Sequence, residues 1–322
     1  MVITVSSDIF KLAKVFTISR GSRTEAKVLT VRILKDGITG WGECVPYSRY
    51  NETLDSVERQ IKGLSMGMNR VSLLDELPAG AARNAVDCAL WDLEAKSKNK
   101  RVWEILNLKI PMPQITAYTL SLGTPENMYN QSIENNYRPL LKIKLGGGEE
   151  DIARIEQVRL GAPNSRIIVD ANEGWSLELY QELAPVLLRL GVEMVEQPFP
   201  SHQDDALLEI ERVLPVCADE SCHDRGSLEN LHGKYDIVNI KLDKTGGLTE
   251  ALELRSAAQK AGYKVMVGCM VGSSLAMAPA TLIAQGVDFT DLDGPLLLAE
   301  DRKNPLKYNE NGVYPPEKEL WG

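Results

Sequence analysis

The sequence is poor in the residues on which many metal and nucleophile sites depend. Only three histidines (His202, His223, His232) stand among 322 residues, none in a paired motif. The five cysteines, at positions 44, 88, 217, 222 and 269, are odd in number and contain no CxxC pair. Such usage reads most simply as that of a reducing cytoplasm. Cys217, Cys222 and His223 have no evident fourth ligand and match no common zinc spacing. No basic tract or arginine–lysine stripe occurs and the net charge is −9, so nucleic acid is not an expected partner. The glycine runs "KLGGG" (144–148) and "KTGG" (244–247) fit neither the P-loop nor the dinucleotide-binding pattern. The N-terminus, "MVITVSSDIFKLAKVF", lacks the basic and apolar regions of a secretory signal, and none is expected. The uncharged stretch Val265–Val287 is long enough to cross a bilayer. It is broken by Gly268, Gly272, Ser273, Ser274, Pro279 and Gly286, and reads as strand, glycine turn and helix. No membrane association is expected.

What the chain does contain is a march of short β-like runs: "QITAYTL", "LLKIKL", "RIIVDA", "VEMVE", "PVCADE", "DIVNIKL", "KVMVG" and "DFTDLDG". Helix-like stretches separate them at Glu149–Leu160, Leu177–Leu190, Asp205–Val213, Leu248–Gly262 and Ser273–Ala284. Strand and helix alternating at this pitch indicate a parallel sheet, and eight such units a closed barrel. A charged residue ends nearly every strand: Lys144, Asp170, Glu196, Asp219, Lys241 and Asp291. In a parallel barrel those ends converge on one mouth.

The first hundred residues differ in character. "EAKVLTVRILKDGITGWGE" reads as a hairpin turning at Asp36–Gly37, and "PAGAARNAVDCALWDLEAKSKNK" as an amphipathic helix begun by Pro78. The expected organisation is an α+β domain over residues 1–110, completed by the returning tail 296–322, and a barrel over 111–295. Pro111 and Pro113 mark the connection.

Asp170, Glu196 and Asp219 place three carboxylates on consecutive strand ends, where like charges repel unless a cation is present. Hard oxygen donors suit Mg²⁺ or Mn²⁺. Lys144 and Lys241 flank the trio, and Lys142 shares a strand face with Lys144 because residues two apart point the same way. Two opposed lysines beside a metal-bound carboxylate suit removal of a proton α to that carboxylate and its return on the other face. Lys142 is expected to hold the carboxylate and, as a neighbouring cation, to make Lys144 a usable base.

These elements resemble the enolase superfamily in its muconate-lactonizing subgroup: "KIK" (142–144), "VDAN" (169–172), "EQP" (196–198), "ADES" (218–221) and "NIKLDKTGG" (239–247). Within it, "RGSRTEA" (20–26), "GECVPYSRY" (42–50), "PAGAARNAVDCALWDL" (78–93), "VGCM" (267–270) and "DLDGP" (291–295) are similar to the dipeptide epimerases, particularly those acting on L-Ala-D/L-Glu. The resemblance implies a capping domain over a modified (β/α)7β TIM-type barrel, one Mg²⁺ per subunit, and 1,1-proton transfer through an enediolate. It implies Asp170, Glu196 and Asp219 as metal ligands and Lys144 and Lys241 as the two bases. Lys244 is taken as structural.

For a dipeptide such as L-Ala-L-Glu, the resemblance gives Asp291 and Asp293 the ammonium and Arg23 the glutamate side chain. Gly21 and Pro46–Tyr50 are expected to form a lid. A cycloisomerase or an o-succinylbenzoate-forming dehydratase could use the same acids and bases, but their substrates carry no ammonium for the aspartate pair. A silent binding barrel would have lost one of these groups, and none is missing. Recycling of cell-wall peptides is implied by the resemblance alone; homo-oligomerisation is left open.

Overall fold

The structure is a computed structural model describing residues 1–65 and 67–322. Three antiparallel strands open the chain: β1 (Val2–Ile18), β2 (Gly21–Lys35) and β3 (Ile38–Cys44). Asp36 (φ 49°) and Gly37 (φ 78°) make the β2–β3 turn, both in the left-handed region that a two-residue hairpin with native twist requires. Helices α1 (Leu54–Lys62), α2 (Arg70–Glu76) and α3 (Ala81–Lys98) follow. Helix α3 starts three residues after Pro78, with Gly80 as its N-cap, rather than at the proline itself. It packs hard onto β3. A Cβ on Gly40 would lie 2.1 Å from the Ala89 carbonyl oxygen, and one on Gly42 2.1 Å from that of Ala85. The glycines of "GWGE" and the alanines of α3 are therefore two halves of one contact.

The short helix α4 (Val102–Ile105) leads to the second unit. Eight parallel strands follow: β4 (Tyr118–Leu120), β5 (Leu140–Lys144), β6 (Arg166–Asp170), β7 (Val192–Glu196), β8 (Val216–Ala218), β9 (Ile237–Ile240), β10 (Lys264–Val267) and β11 (Phe289–Thr290). They neighbour one another in chain order, and Ala117 N donates to Thr290 O at 2.8 Å across the seam between first and last. Helices α5 (Pro125–Glu134), α6 (Asp151–Gly161), α7 (Leu177–Arg189), α8 (Leu228–Leu231), α9 (Leu242–Thr245), α10 (Leu248–Lys260) and α11 (Ser274–Ile283) join them. The helix expected over Asp205–Val213 does not form; a 3-10 turn at Asp204–Leu208 stands there. Arg212 ties the following segment to Leu207 O, Gly233 O and the Asp236 carboxylate, bonds that a regular helix would not make. Val265–Val287 forms strand β10, a loop and α11, and no helix among the described residues is long and apolar enough to cross a membrane.

Inside the barrel the period of two does the positioning. Ala117, Leu140, Ile168, Met194, Cys217, Ile237, Met266 and Phe289 pack together as an apolar floor. Two residues further along six of these strands stand Lys142, Asp170, Glu196, Asp219, Asn239 and Asp291, all buried. Side chains at i and i+2 share a face, so each polar group sits directly above a floor residue. A pattern that buries the floor forces the polar layer inward.

The tail ends against the first unit. Trp321 is buried and donates Nε1–H to Cys88 O at 3.0 Å, and Gly322 N donates to Asp92 Oδ1 at 2.7 Å. Trp321→Ala is expected to cost about 3–5 kcal/mol, as other buried aromatic truncations do. Thermal melting checks this; an unchanged Tm would show that the tail is not a structural clasp.

Candidate active site

Seven of the nine residues singled out in the sequence line one cavity: Arg23, Lys142, Lys144, Asp219, Lys241, Asp291 and Asp293. Asp170 and Glu196 are completely buried and do not line it; Lys142 and Lys144 contact them from above. The cavity is small, about 60 Å³.

The acids do not form a bare trio. Among the described residues no three His, Cys, Asp or Glu side chains are gathered as a ready-made metal cage. Ammonium groups stand between the carboxylates instead. Lys142 Nζ lies 2.5 Å from Glu196 Oε2, 2.8 Å from Asp291 Oδ2 and 3.2 Å from Asp170 Oδ2. Lys144 Nζ donates to Asp170 Oδ2 at 2.6 Å, and Lys241 Nζ to Asp219 Oδ2 at 2.6 Å. Lys241 Nζ is also 4.0 Å from Glu196 Oε1. Lys144 and Lys241 thus reach the site from β5 and the end of β9, four strands apart in a ring of eight, with Glu196 on β7 between them.

The electrostatics follow from this packing. Burial works against the charge on Lys142, but Asp291, Glu196 and Asp170 outweigh it and hold the ammonium firmly protonated. Lys142 is therefore neutralised by acids on three strands, and its role as a lone cation beside Lys144, expected from the strand alone, is modified accordingly. Burial likewise disfavours the Lys241 ammonium, and Asp219 and Glu196 more than compensate. Burial would raise the Asp170 carboxyl, yet Lys144 and Lys142 hold it well below the usual range. Asp219 is held low in the same way by Lys241 and Lys244. Glu196 goes the other way: burial and the adjacent Asp170 push it up to about 7. Burial and Asp291 do the same to Asp293, also to about 7.

Four residues near the carboxylates carry more than the sequence suggested. Asn239 donates Nδ2–H to Glu196 Oε1 at 2.8 Å, and Gly268 leaves room for it, since a Cβ there would lie 2.6 Å from Asn239 Oδ1. Lying two residues before Lys241, Asn239 was readable from strand alternation. Lys244, fully buried, bonds Asp219 Oδ1 at 2.6 Å and Asn239 O at 3.0 Å. Glu220, beside Asp219, takes a hydrogen bond from Arg20 of the β1–β2 turn at 2.8 Å. Arg20 is thereby engaged, whereas Arg23 makes no ion pair among the described residues; its guanidinium stands 5.8 Å from the centre of the Tyr47 ring.

The donor chemistry fits a hard divalent cation. Asp170 and Glu196 reach toward the same ammonium nitrogen, so two of the acids already converge on one cationic point. Glu196 Oε2 is buried without a hydrogen-bond partner despite that short approach. The three acids offer carboxylate oxygens alone, the set that Mg²⁺ favours.

Eight parallel strands carrying acids and lysines at their carboxyl ends, under an antiparallel cap, define a class. The enolase C-terminal domain-like family model matches residues 129–318, and the mandelate racemase/muconate lactonizing enzyme N-terminal domain model matches residues 2–107. The chain belongs to this family of the enolase superfamily. It is 44% identical to the L-Ala-D/L-Glu epimerase of Escherichia coli K12, over 97% of this chain and 99% of that protein. It is 46% identical to an N-acetyl-D-glutamate racemase of a Pseudoalteromonas species, over 92% of this chain and 95% of that one. Among solved structures, an enolase family member from Agrobacterium tumefaciens with homology to dipeptide epimerases, holding sodium and L-Ala-L-Glu, superposes with a TM-score of 0.97 at 49% identity, covering 99% of each chain.

Proposed function

We propose that the protein is a dipeptide epimerase that inverts the α-carbon of the C-terminal residue, interconverting L-Ala-L-Glu and L-Ala-D-Glu. One observation carries this: Lys144 and Lys241 face one cavity from opposite walls, with the acid layer between them. One lysine takes the α-proton and the other delivers a proton to the opposite face. Lys142 lies beside the acids, where it meets the substrate α-carboxylate. Asp170, Glu196 and Asp219 would hold Mg²⁺, which supplies a positive charge against the negative charge that develops on that carboxylate. Arg23, which makes no ion pair among the described residues, takes the glutamate side chain. The five cysteines are all free, which suits a reducing compartment such as the cytoplasm. The test is incubation with Mg²⁺ and L-Ala-L-Glu in D₂O. The expected result is α-deuterium at the glutamate centre together with the D-epimer; absence of both would sink the assignment.

A second substrate, an N-acylglutamate, presents the same α-carbon but no ammonium. The 46% identical racemase makes it a necessary comparison. Lys142 holds Asp291 Oδ2, but Asp291 Oδ1 is buried without a hydrogen-bond partner beside Asp293, which leaves an acceptor for an ammonium and so favours the dipeptide. Asp291→Asn is expected to lower kcat/KM for L-Ala-L-Glu by about 10–100-fold, the worth of one charge-assisted contact. The same change should affect N-acetyl-L-glutamate far less. Equal losses on both substrates would remove Asp291 from ammonium recognition.

A further inference from the structure

The cavity is roofed by two loops of the cap, and both are fastened to a single carboxylate of the barrel. Arg49, in the 3-10 turn Ser48–Tyr50, donates Nε–H to Glu173 Oε2 and Nη2–H to Glu173 Oε1, each at 2.7 Å. Arg20, in the β1–β2 turn, lies 3.3 Å from the same Oε2 and donates to Asn172 O at 2.8 Å. Ser201 N donates to Glu173 Oε1 at 2.9 Å, completing the carboxylate's partners. A paired, forked arginine–carboxylate contact is among the stronger polar contacts available, and this one is backed by a second guanidinium.

The barrel side of the clasp is tied to the acid layer. Asn172 (φ 46°) and Glu173 (φ 65°) both hold left-handed backbone that residues other than glycine rarely adopt. Asp170 Oδ1 accepts from Asn172 N at 2.8 Å, and Gln197 O accepts from Glu173 N at 2.8 Å. The turn that presents Glu173 is thus held by a residue of the acid layer and by the residue following Glu196. On the cap side, Arg23 stands three residues beyond Arg20, in β2 just after the turn and opposite Phe16 of β1. The carboxylate of Glu173 itself lines no part of the cavity.

We propose that Glu173 is a positioning residue that latches both cap loops shut over the cavity, through Arg49 and Arg20, and thereby places Arg23 for the substrate's side-chain carboxylate. Arg20, Tyr47 and Tyr50 of the two loops and the adjacent Arg23 line the cavity together with Lys144 and Lys241, so a latch on these loops acts on the wall that encloses the substrate. Glu173 closes it without touching the reacting atoms. The kinetic consequence rests on the dipeptide epimerase assignment; the loop consequence does not.

The test is Glu173→Gln, which keeps the shape and removes the charge, with Arg49→Ala and Arg49→Lys from the other side. Amide hydrogen exchange of the intact Mg²⁺-loaded protein is expected to quicken by about tenfold in residues 19–23 and 45–51 of Glu173→Gln and Arg49→Ala, and not in β5–β9. With L-Ala-L-Glu, KM should rise by about tenfold while kcat stays within about threefold, the pattern of lost binding rather than lost chemistry. Arg49→Lys should recover part of both effects. Unchanged loop exchange overturns the latch whatever the substrate. Faster exchange in the barrel strands as well would show general loosening and overturns it too. Faster loop exchange with no turnover of L-Ala-L-Glu by the unaltered protein would keep the latch and refute the substrate assignment.

Discussion

Lys144→Ala and Lys241→Ala are each expected to lower epimerisation of L-Ala-L-Glu by about 10²–10⁴-fold, the usual worth of a positioned acid or base. The geometry makes the two losses unlike in kind. Lys144 pairs with Asp170 on β6, and Lys241 with Asp219 just beyond β8. Neither lysine reaches the other's partner within ion-pair distance. On the proposed two-base mechanism, each would serve one face of the substrate. Removing one should block epimerisation while leaving the other able to exchange the α-proton of a single enantiomer with solvent. In D₂O, Lys144→Ala and Lys241→Ala should incorporate deuterium from opposite enantiomers, each without inversion. Lys142 still neutralises Asp170 in the first variant, and Lys244 still neutralises Asp219 in the second. Neither Asp170 nor Asp219 is left without a cation, so folding is expected to survive. Deuterium entering the same enantiomer in both variants would place the two lysines on one side of the α-carbon.

That both lysines could be named from the sequence has a physical origin. A strand of a parallel barrel must bury an apolar face inward at one end and ends at the mouth at the other. Leu140, Ile168, Met194, Cys217 and Ile237 are the buried inward residues; counting two forward lands on Lys142, Asp170, Glu196, Asp219 and Asn239, and two more from Lys142 and Asn239 lands on Lys144 and Lys241. Local order alone supplies that register. What local order could not supply is contact between distant segments. Arg20 and Glu220 are 200 positions apart, and nothing in "RGSR" distinguishes the arginine that pairs with the barrel from the one left free. β1 was equally hidden. Its outward residues alternate with half-buried ones rather than with a clear apolar set, and its order comes from thirteen register pairs with β2. The segment after Asp204–Leu208 had a helix-like composition, but Arg212 found better partners in the loop at Gly233 and in Asp236. Tertiary bonds overruled propensity there, as they can wherever a half-buried guanidinium has several acceptors in reach.

The acid layer sets the other large expectation. Asp170→Asn, Glu196→Gln and Asp219→Asn are each expected to weaken Mg²⁺ binding by more than about 100-fold, because even the outer partners of metal ligands are worth about 10–100-fold. Turnover should fall with it, but binding can be read without turnover. A ligand that binds only the folded state at about 100 times its Kd adds roughly 2.7 kcal/mol of stability. Mg²⁺ should therefore raise the Tm of the unaltered protein, EDTA should abolish the rise, and the three variants should show none. The metal-free variants need not be equally stable. Asn239 donates to Glu196 Oε1 and can still donate to the amide oxygen of Glu196→Gln. In Asp219→Asn, by contrast, Lys241 and Lys244 both lose their short carboxylate contact; Lys241 keeps only Glu196 at 4.0 Å, and Lys244 is left buried with no ion pair. Asp219→Asn should accordingly melt lowest without metal. A Mg²⁺-dependent Tm rise that persists in all three variants would mean that the ion binds elsewhere and that these carboxylates serve only to neutralise the lysines.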